Sequence, residues 1–106
     1  VTAGPTKEYL DPVRFITNNS SGKQGYEIAK SLAKFGVDTT LISGPTQLKK
    51  PENVKIIKVE TADQMFEEVK KSLPVDVAVC TAAVSDFKPL KKLNTKILII
   101  RILYNI

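Results

Sequence analysis

Between Ser20 and Gly25 the chain reads SSGKQG, directly ahead of a segment with helical periodicity. No other stretch constrains the fold as tightly. Gly25, Ile28, Ala29, Leu32, Ala33 and Gly36 recur at the spacing of one helix face, and most are small. Such a face predicts a helix lying close against a sheet. Its start is marked by Ser21 as N-cap, with Gln24 three residues on to close a capping box. Gly22 and Gly25 leave the first turn bare, so a ligand can approach the backbone there. The unpaired amides of a first helical turn and the positive end of the helix dipole favour an anion. Lys23 adds a full charge in the same turn. One piece of chain is therefore both a fold element and a candidate phosphate site.

Generic phosphate motifs do not match. A P-loop needs a glycine where Thr17 stands, and Ser or Thr where Gln24 stands. The dinucleotide fingerprint needs three glycines, and only Gly22 and Gly25 keep its final spacing. Local signal alone is equally compatible with an ordinary capped helix.

Composition sets outer bounds. A chain of 106 residues suggests one domain or part of one. Hydrophobic content of 42% and charged content of 25% are ordinary for a globular protein. The net charge of +5 favours anionic partners. No apolar run reaches membrane-spanning length and no secretory pattern is visible, so the expected location is the cytoplasm. The single Cys80 has no internal disulfide partner, and the absence of histidine removes a histidine base or ligand. Val1 falls inside a strand end, which points to a piece of a larger protein.

Taken in order, Val1–Ala3 ends a first strand and Gly4-Pro5-Thr6 turns off the sheet. Lys7–Asn19 is predicted as a long loop without regular structure, anchored by Leu10, Val13, Phe15 and Ile16. Arg14, Asn18 and Asn19 offer charge and amide contacts near the helix start. A helix is predicted over 22–35, strands over 38–43 and 54–59, and a second helix after Thr61, with Gln64 completing a capping box. Ala62, Met65, Phe66, Val69 and Leu73 form its apolar face. Val75–Cys80 is predicted as a buried strand, with Cys80 packed at its end. Small residues and Asp86 follow in TAAVSD, and Asp86 is suited to a ribose hydroxyl or a metal-bound water.

This order predicts an open, mostly parallel, Rossmann-like α/β sheet with helices on both faces, C-terminally incomplete. The strand order 3-2-1-4 puts the first and fourth strands side by side, with VTAGPT and CTAAVSD at their carboxyl ends. Ligands bind such sheets at this switch point. Three segments thus converge on a site suited to a phosphorylated nucleotide. The second strand ends in Ile42-Ser43-Gly44-Pro45 without the acidic residue that dinucleotide folds use for the ribose, which weighs against NAD.

The string VTAGPTKEYLDPVRFITNNSSGKQG closely resembles the opening of the phosphopantothenoylcysteine synthetase domain of bacterial coenzyme A biosynthesis, usually the second half of a bifunctional flavoprotein. The resemblance runs on through LISGPT and TAAVSDFKP, over residues 1–97. It implies CTP-dependent ligation of 4′-phosphopantothenate to L-cysteine through an acyl-cytidylate, with Mg2+ accompanying the triphosphate. By matching position it implies that Asn18 handles the acyl-cytidylate, with Arg14 as its companion. Gly4, Ser20, Ser21, Gly22, Lys23 and Gly25 would hold the anion. Ala82 and Ala83 would line the cytidine pocket, and Asp86 would contact CTP. Lys96, followed by Ile97, matches the lysine of the nucleotide step. Such ligation needs charge neutralisation and orientation of two substrates, not a protein nucleophile. The family dimerises, and a flavin-dependent decarboxylase domain is an implied partner, with no FMN expected on this chain.

Residues 98–106 form an apolar tail that does not resemble the family, so the expectation is a truncated site wall and dimer surface. Three alternatives stay open. One is a non-catalytic nucleotide-binding remnant or assembly subunit. A second is an NAD(P)-binding domain. The third, nucleic-acid binding, has only the net charge in its favour, because the few aromatics are not interleaved with basic residues.

Overall fold

The structure, a computed structural model, describes residues 1–95. Strands β1 (Thr2–Ala3), β4 (Thr40–Ser43) and β5 (Lys55–Lys58) form a parallel sheet in the order β1-β4-β5. Strands β2 (Lys7–Tyr9) and β3 (Phe15–Thr17) pair separately as an antiparallel hairpin. Helix α1 spans Lys23–Lys34 and α2 spans Ala62–Ser72. The predicted open α/β architecture is present. No helix among the described residues is long and apolar enough to cross a membrane.

Alternation along β4 separates two apolar clusters. Leu41 packs with Ala3, Tyr26, Ala29 and Val54 on the α1 side. Its neighbour Ile42 packs with Val59 and Met65 on the α2 side. Successive strand residues point to opposite faces, so one strand anchors a helix on each face of the sheet. The expected small-residue face of α1 carries its contact. A Cβ on Gly25 would stand 2.3 Å from the Ala3 Cβ and 2.5 Å from the Thr81 hydroxyl oxygen.

Helix α2 starts as its sequence requires. The Gln64 amide donates to the Thr61 Oγ1 at 3.1 Å, and the Thr61 amide to the Gln64 Oε1 at 3.2 Å. Buried Glu8 adds a carboxylate there, accepting from the Ala62 amide at 2.9 Å. A negative group at a helix N-terminus opposes the macrodipole favourably.

Several expectations are corrected. Residues 7–19 are not an irregular loop, because Asp11 closes a hairpin. Its Oδ1 accepts from the amides of Val13 at 2.7 Å and Arg14 at 2.6 Å, and the Leu10 amide donates to the Arg14 carbonyl at 2.9 Å. Val13, Phe15 and Ile16 are exposed rather than anchoring. Phe15 instead stacks edge-on with Tyr9 and lies under the Lys7 ammonium, 4.5 Å from the ring centroid. Phe66 and Leu73 are exposed, not core. Met65 takes the sheet-facing position, and Phe66, one helical step round, lies beneath Lys70.

The predicted strand 75–80 is not formed. The segment reaches β1 only through a parallel bridge of Cys80 to Thr2, with the Thr2 amide donating to the Val79 carbonyl at 2.9 Å. Residues 75–78 join no ladder among the described residues, and Val77 is 75% exposed. Cys80 is also exposed, not packed. The segment's position beside β1, and with it the order 3-2-1-4, is as expected.

The contact at Gly25 generates a prediction. Gly25→Ala should destabilise the fold by roughly 1–3 kcal/mol, the usual cost of overpacking, because β1 backbone rather than a flexible side chain must give way. A denaturant midpoint unchanged from the parent would show that α1 does not sit this close to β1.

Candidate functional site

Three segments meet at the carboxyl end of β1: the turn Gly4–Thr6, the start of α1, and residues 81–86. The Ala83 amide donates to the Gly4 carbonyl at 2.9 Å, and the Thr6 amide to the Ala83 carbonyl at 3.3 Å. A Cβ on Gly22 would lie 3.1 Å from the Gly4 Cα. Gly4, Gly22, Gly25 and Ala83 are thereby brought into one crevice, as the strand order requires, whereas Ala82 packs against the Ile42–Val59–Met65 cluster on the α2 side.

The start of α1 differs from expectation. Gly22 is its N-cap, in a left-handed conformation with φ 78°, and no side chain caps the helix. The capping box between Ser21 and Gln24 is absent. The left-handed step delays the helix by one residue, so the Ser21 Oγ accepts from the Lys23 amide at 3.2 Å instead. The Ser20 Oγ accepts from the Gly22 amide at 3.4 Å. The Gln24 and Gly25 amides have no partner among the described residues. They are the free donors, and Lys23 beside them is exposed. That arrangement suits an anion.

Asn18 reaches into the third segment. Its Nδ2 donates to the carbonyls of Ala83 and Val84, each at 3.1 Å. Both amide hydrogens are thus committed, leaving the Oδ1 as an acceptor. Arg14 pairs with buried Asp11 through its Nη1 at 3.1 Å, so it belongs to the hairpin turn as well as to the predicted set. Asp86 is exposed. Lys96 lies outside the described residues.

Sequence reasoning missed Thr6. It is fully buried, and its Oγ1 accepts from the Ser85 amide at 2.9 Å. Its carbonyl accepts from the Thr17 Oγ1 at 2.7 Å and the Ser85 Oγ at 3.3 Å. A threonine following Gly-Pro looks like turn chemistry, and nothing local marks it as the joint between hairpin and crevice. Tyr26 was also missed. Its hydroxyl lies 2.8 Å from the Ser43 Oγ and accepts from the Thr46 Oγ1 at 3.3 Å. These hydroxyls occupy the end of β4, where a dinucleotide fold would place its ribose-binding acid.

The hairpin is also tied to the start of α2. The Tyr9 hydroxyl donates to the Glu60 Oε2 at 2.7 Å, which raises its pKa above the usual value of 10.0. The bond favours the neutral phenol, so what it contributes at this exposed position is present at neutral pH and is lost as pH rises through that raised value.

Residues 1–99 match the family of the DNA/pantothenate metabolism flavoprotein C-terminal domain. The chain belongs to this family. It is 50% identical over 99 residues to the coenzyme A biosynthesis bifunctional protein CoaBC of Mycobacterium tuberculosis H37Rv, covering 92% of this chain and 24% of that protein. With the CoaBC of Vibrio vulnificus YJ016 it shares 46% identity over 90 residues, 84% of this chain and 22% of that protein. A crystal structure of the C-terminal domain of a CoaBC superposes with a TM-score of 0.79 at 48% identity, covering 85% of this chain and 46% of that one. The Streptococcus pneumoniae DNA/pantothenate metabolism flavoprotein gives 0.77 at 33% identity, covering 84% and 40%. The chain thus spans about a quarter of the curated relatives and less than half of the solved chains.

Thr6→Val should leave the Ser85 amide without its acceptor, at a cost of about 1–3 kcal/mol. Hydrogen exchange at Ser85 and Ala83 should accelerate more than exchange in β4. Equal acceleration throughout the sheet would show that Thr6 is not a local joint.

Proposed function

We propose that this chain carries the nucleotide-binding half of a phosphopantothenate–cysteine ligase, which joins 4′-phosphopantothenate to L-cysteine at the expense of CTP. The observation that carries the reading is the convergence of the α1 start, the Gly4–Thr6 turn and residues 81–86, on a chain whose relatives are coenzyme A biosynthesis proteins.

Chemically, a carboxylate displaces pyrophosphate from the nucleotide α-phosphorus and forms an acyl-cytidylate. The cysteine amine then attacks the acyl carbon and expels CMP. Neither step needs a protein nucleophile. Both need charge neutralised and reactants held in line. The free Gln24 and Gly25 amides and the Lys23 ammonium supply fixed positive charge for phosphate oxygens. Ala83 keeps the crevice wall low enough for a planar base. Asn18, clamped to the 83–84 carbonyls, offers its Oδ1 as an acceptor for an N–H of the incoming amine. Arg14 adds positive charge at the hairpin, and Lys96 would act on the nucleotide from the segment that follows.

Among the described residues no group of three metal-ligating side chains is present. A magnesium ion would accompany the triphosphate, carried mainly by phosphate oxygens and water, with exposed Asp86 as the carboxylate of the 81–86 segment. It would supply charge neutralisation. FMN belongs to the decarboxylase reaction and has no assigned role here. The Tyr26–Ser43–Thr46 hydroxyls at the end of β4 argue against NAD.

A second reading is a non-catalytic nucleotide-binding subunit completed by another chain or copy. Phe87, 77% exposed directly after residues 81–86, favours it.

Magnesium-CTP at about a hundred times its dissociation constant should stabilise the protein by roughly 2.7 kcal/mol in a thermal melt, with ATP and NAD giving less. No shift with any nucleotide, from folded protein, would reject the nucleotide site. Turnover with phosphopantothenate and cysteine separates the two readings. In protein that turns over, Asn18→Asp should form the acyl-cytidylate and slow its conversion on the order of 100-fold. Conversion at the parental rate would remove Asn18 from that step.

A further inference from the structure

A second concavity runs along α1, between the helix and the β4–β5 connection, with a volume of about 540 Å³. From α1 it takes Lys23, Lys30 and Lys34, seven and four residues apart, so their side chains share one stripe of the helix. The connection contributes Lys49 and Lys50 from the opposite side. Five ammonium groups therefore border one groove, against the two carboxylates of Glu27 and Glu52. None of the seven is ion-paired among the described residues. The contrast with α2 is direct, because Lys70 and Lys71 there each pair with a glutamate three residues earlier. Beneath the charges, Tyr26, Ala33 and Leu48 give the groove an apolar floor.

We propose that this groove binds a small organic polyphosphate at a site separate from the nucleotide crevice. The chemistry follows from the lining. Like charges gathered in excess of their counter-charges repel one another, and phosphate oxygens relieve that repulsion while accepting hydrogen bonds from the ammonium groups. The apolar floor accommodates a carbon body, which free inorganic phosphate lacks. The volume falls within the ordinary range for small-molecule sites. A nucleic-acid strand fits less well, because the stripe follows a helix of 12 residues, about 18 Å long, and no exposed aromatic platform lines it. Lys23 stands where groove and crevice meet, so the discriminating positions are Lys30, Lys49 and Lys50.

The test is an amide-resolved NMR titration of the full chain with inorganic tripolyphosphate and with ATP, and separately with magnesium-CTP. Tripolyphosphate and ATP should shift the amides of Lys30, Lys34 and residues 48–53, with ATP binding more tightly because its base and ribose cover the floor. Lys49→Gln combined with Lys50→Gln should weaken that response about tenfold or more, and Lys30→Gln alone should weaken it less. All three positions are exposed, so an otherwise unchanged spectrum will show that the variants fold. The CTP response of Gly22–Gly25 and 81–86 should be unaffected. Shifts confined to those crevice amides, no shift at all, or parental affinity in the double variant would overturn the proposal. A groove that responds while the crevice ignores CTP would instead count against the ligase reading alone.

Discussion

The approach of α1 to β1 at Gly25 is the constraint on which the rest depends. A helix usually stands off a sheet by the depth of its side chains. Here the helix face at that point has no side chain, and the facing strand residue is Ala3. The helix therefore enters so close that even one methyl group has no room. That closeness sets the position of its first turn, because Gly22 then lies against Gly4. The unpaired amides of Gln24 and Gly25 belong to that first turn. Tyr26, next in the helix, can reach the Ser43 hydroxyl at the end of β4. Packing and site geometry here are two consequences of one absent Cβ.

A second set of ties keeps the crevice from being merely a gap between elements. Thr6 joins residues 17 and 85 through its own backbone and hydroxyl, and Asn18 reaches residues 83 and 84. The hairpin is held in turn to the start of α2 by Glu8, Tyr9 and Lys7, whose amide donates to the Glu60 carbonyl at 2.7 Å. Contacts at such sequence separation are made against a substantial loop-closure cost. Thr6 and Glu8 at their centre are buried, and without these partners their polar groups would be unsatisfied.

The parts legible in the sequence are those that local pattern controls. The α2 capping box is one, since Thr61 and Gln64 are three residues apart and need nothing else. Another is the strand order, which follows from the alternation of elements. The sites of error are those where a distant partner decides. Ser21 and Gln24 carry the same spacing as Thr61 and Gln64, yet the left-handed Gly22 takes the cap position. Asp11 looks like a lone acid before a proline, and its role in closing the hairpin depends on amides two and three residues on. Phe66 has the composition of a core residue, and only helix azimuth leaves it outside. Residues 75–80 have the composition of a buried strand, but composition does not supply a paired neighbour, and the segment meets β1 only at the bridge of Cys80 to Thr2. Among the predicted site residues, Gly4, Gly22, Gly25, Ala83 and Asn18 converge, while Ala82 packs toward α2 and Asp86 stands exposed in the same segment.

The two candidate sites show why one was readable and the other was not. The crevice consists mostly of backbone groups, glycines, alanines and one amide side chain. None is a nucleophile or a perturbed acid, so a search for titratable groups passes over it. It becomes visible through the long string DPVRFITNNSSGKQG, which carries the resemblance by the order of its residues rather than by acidity. That suits the ligation proposed here, where the substrates bring their own leaving group and nucleophile and the protein contributes placement and fixed dipoles. The groove along α1 is the reverse case. Its lysines are charged and numerous, but they lie in two stretches separated by a strand and have no sequence pattern in common. Only the parallel pairing of β1 with β4, which sets the β4–β5 connection beside α1, brings Lys49 and Lys50 opposite Lys30 and Lys34. A charge cluster made by topology in this way must be read from the fold.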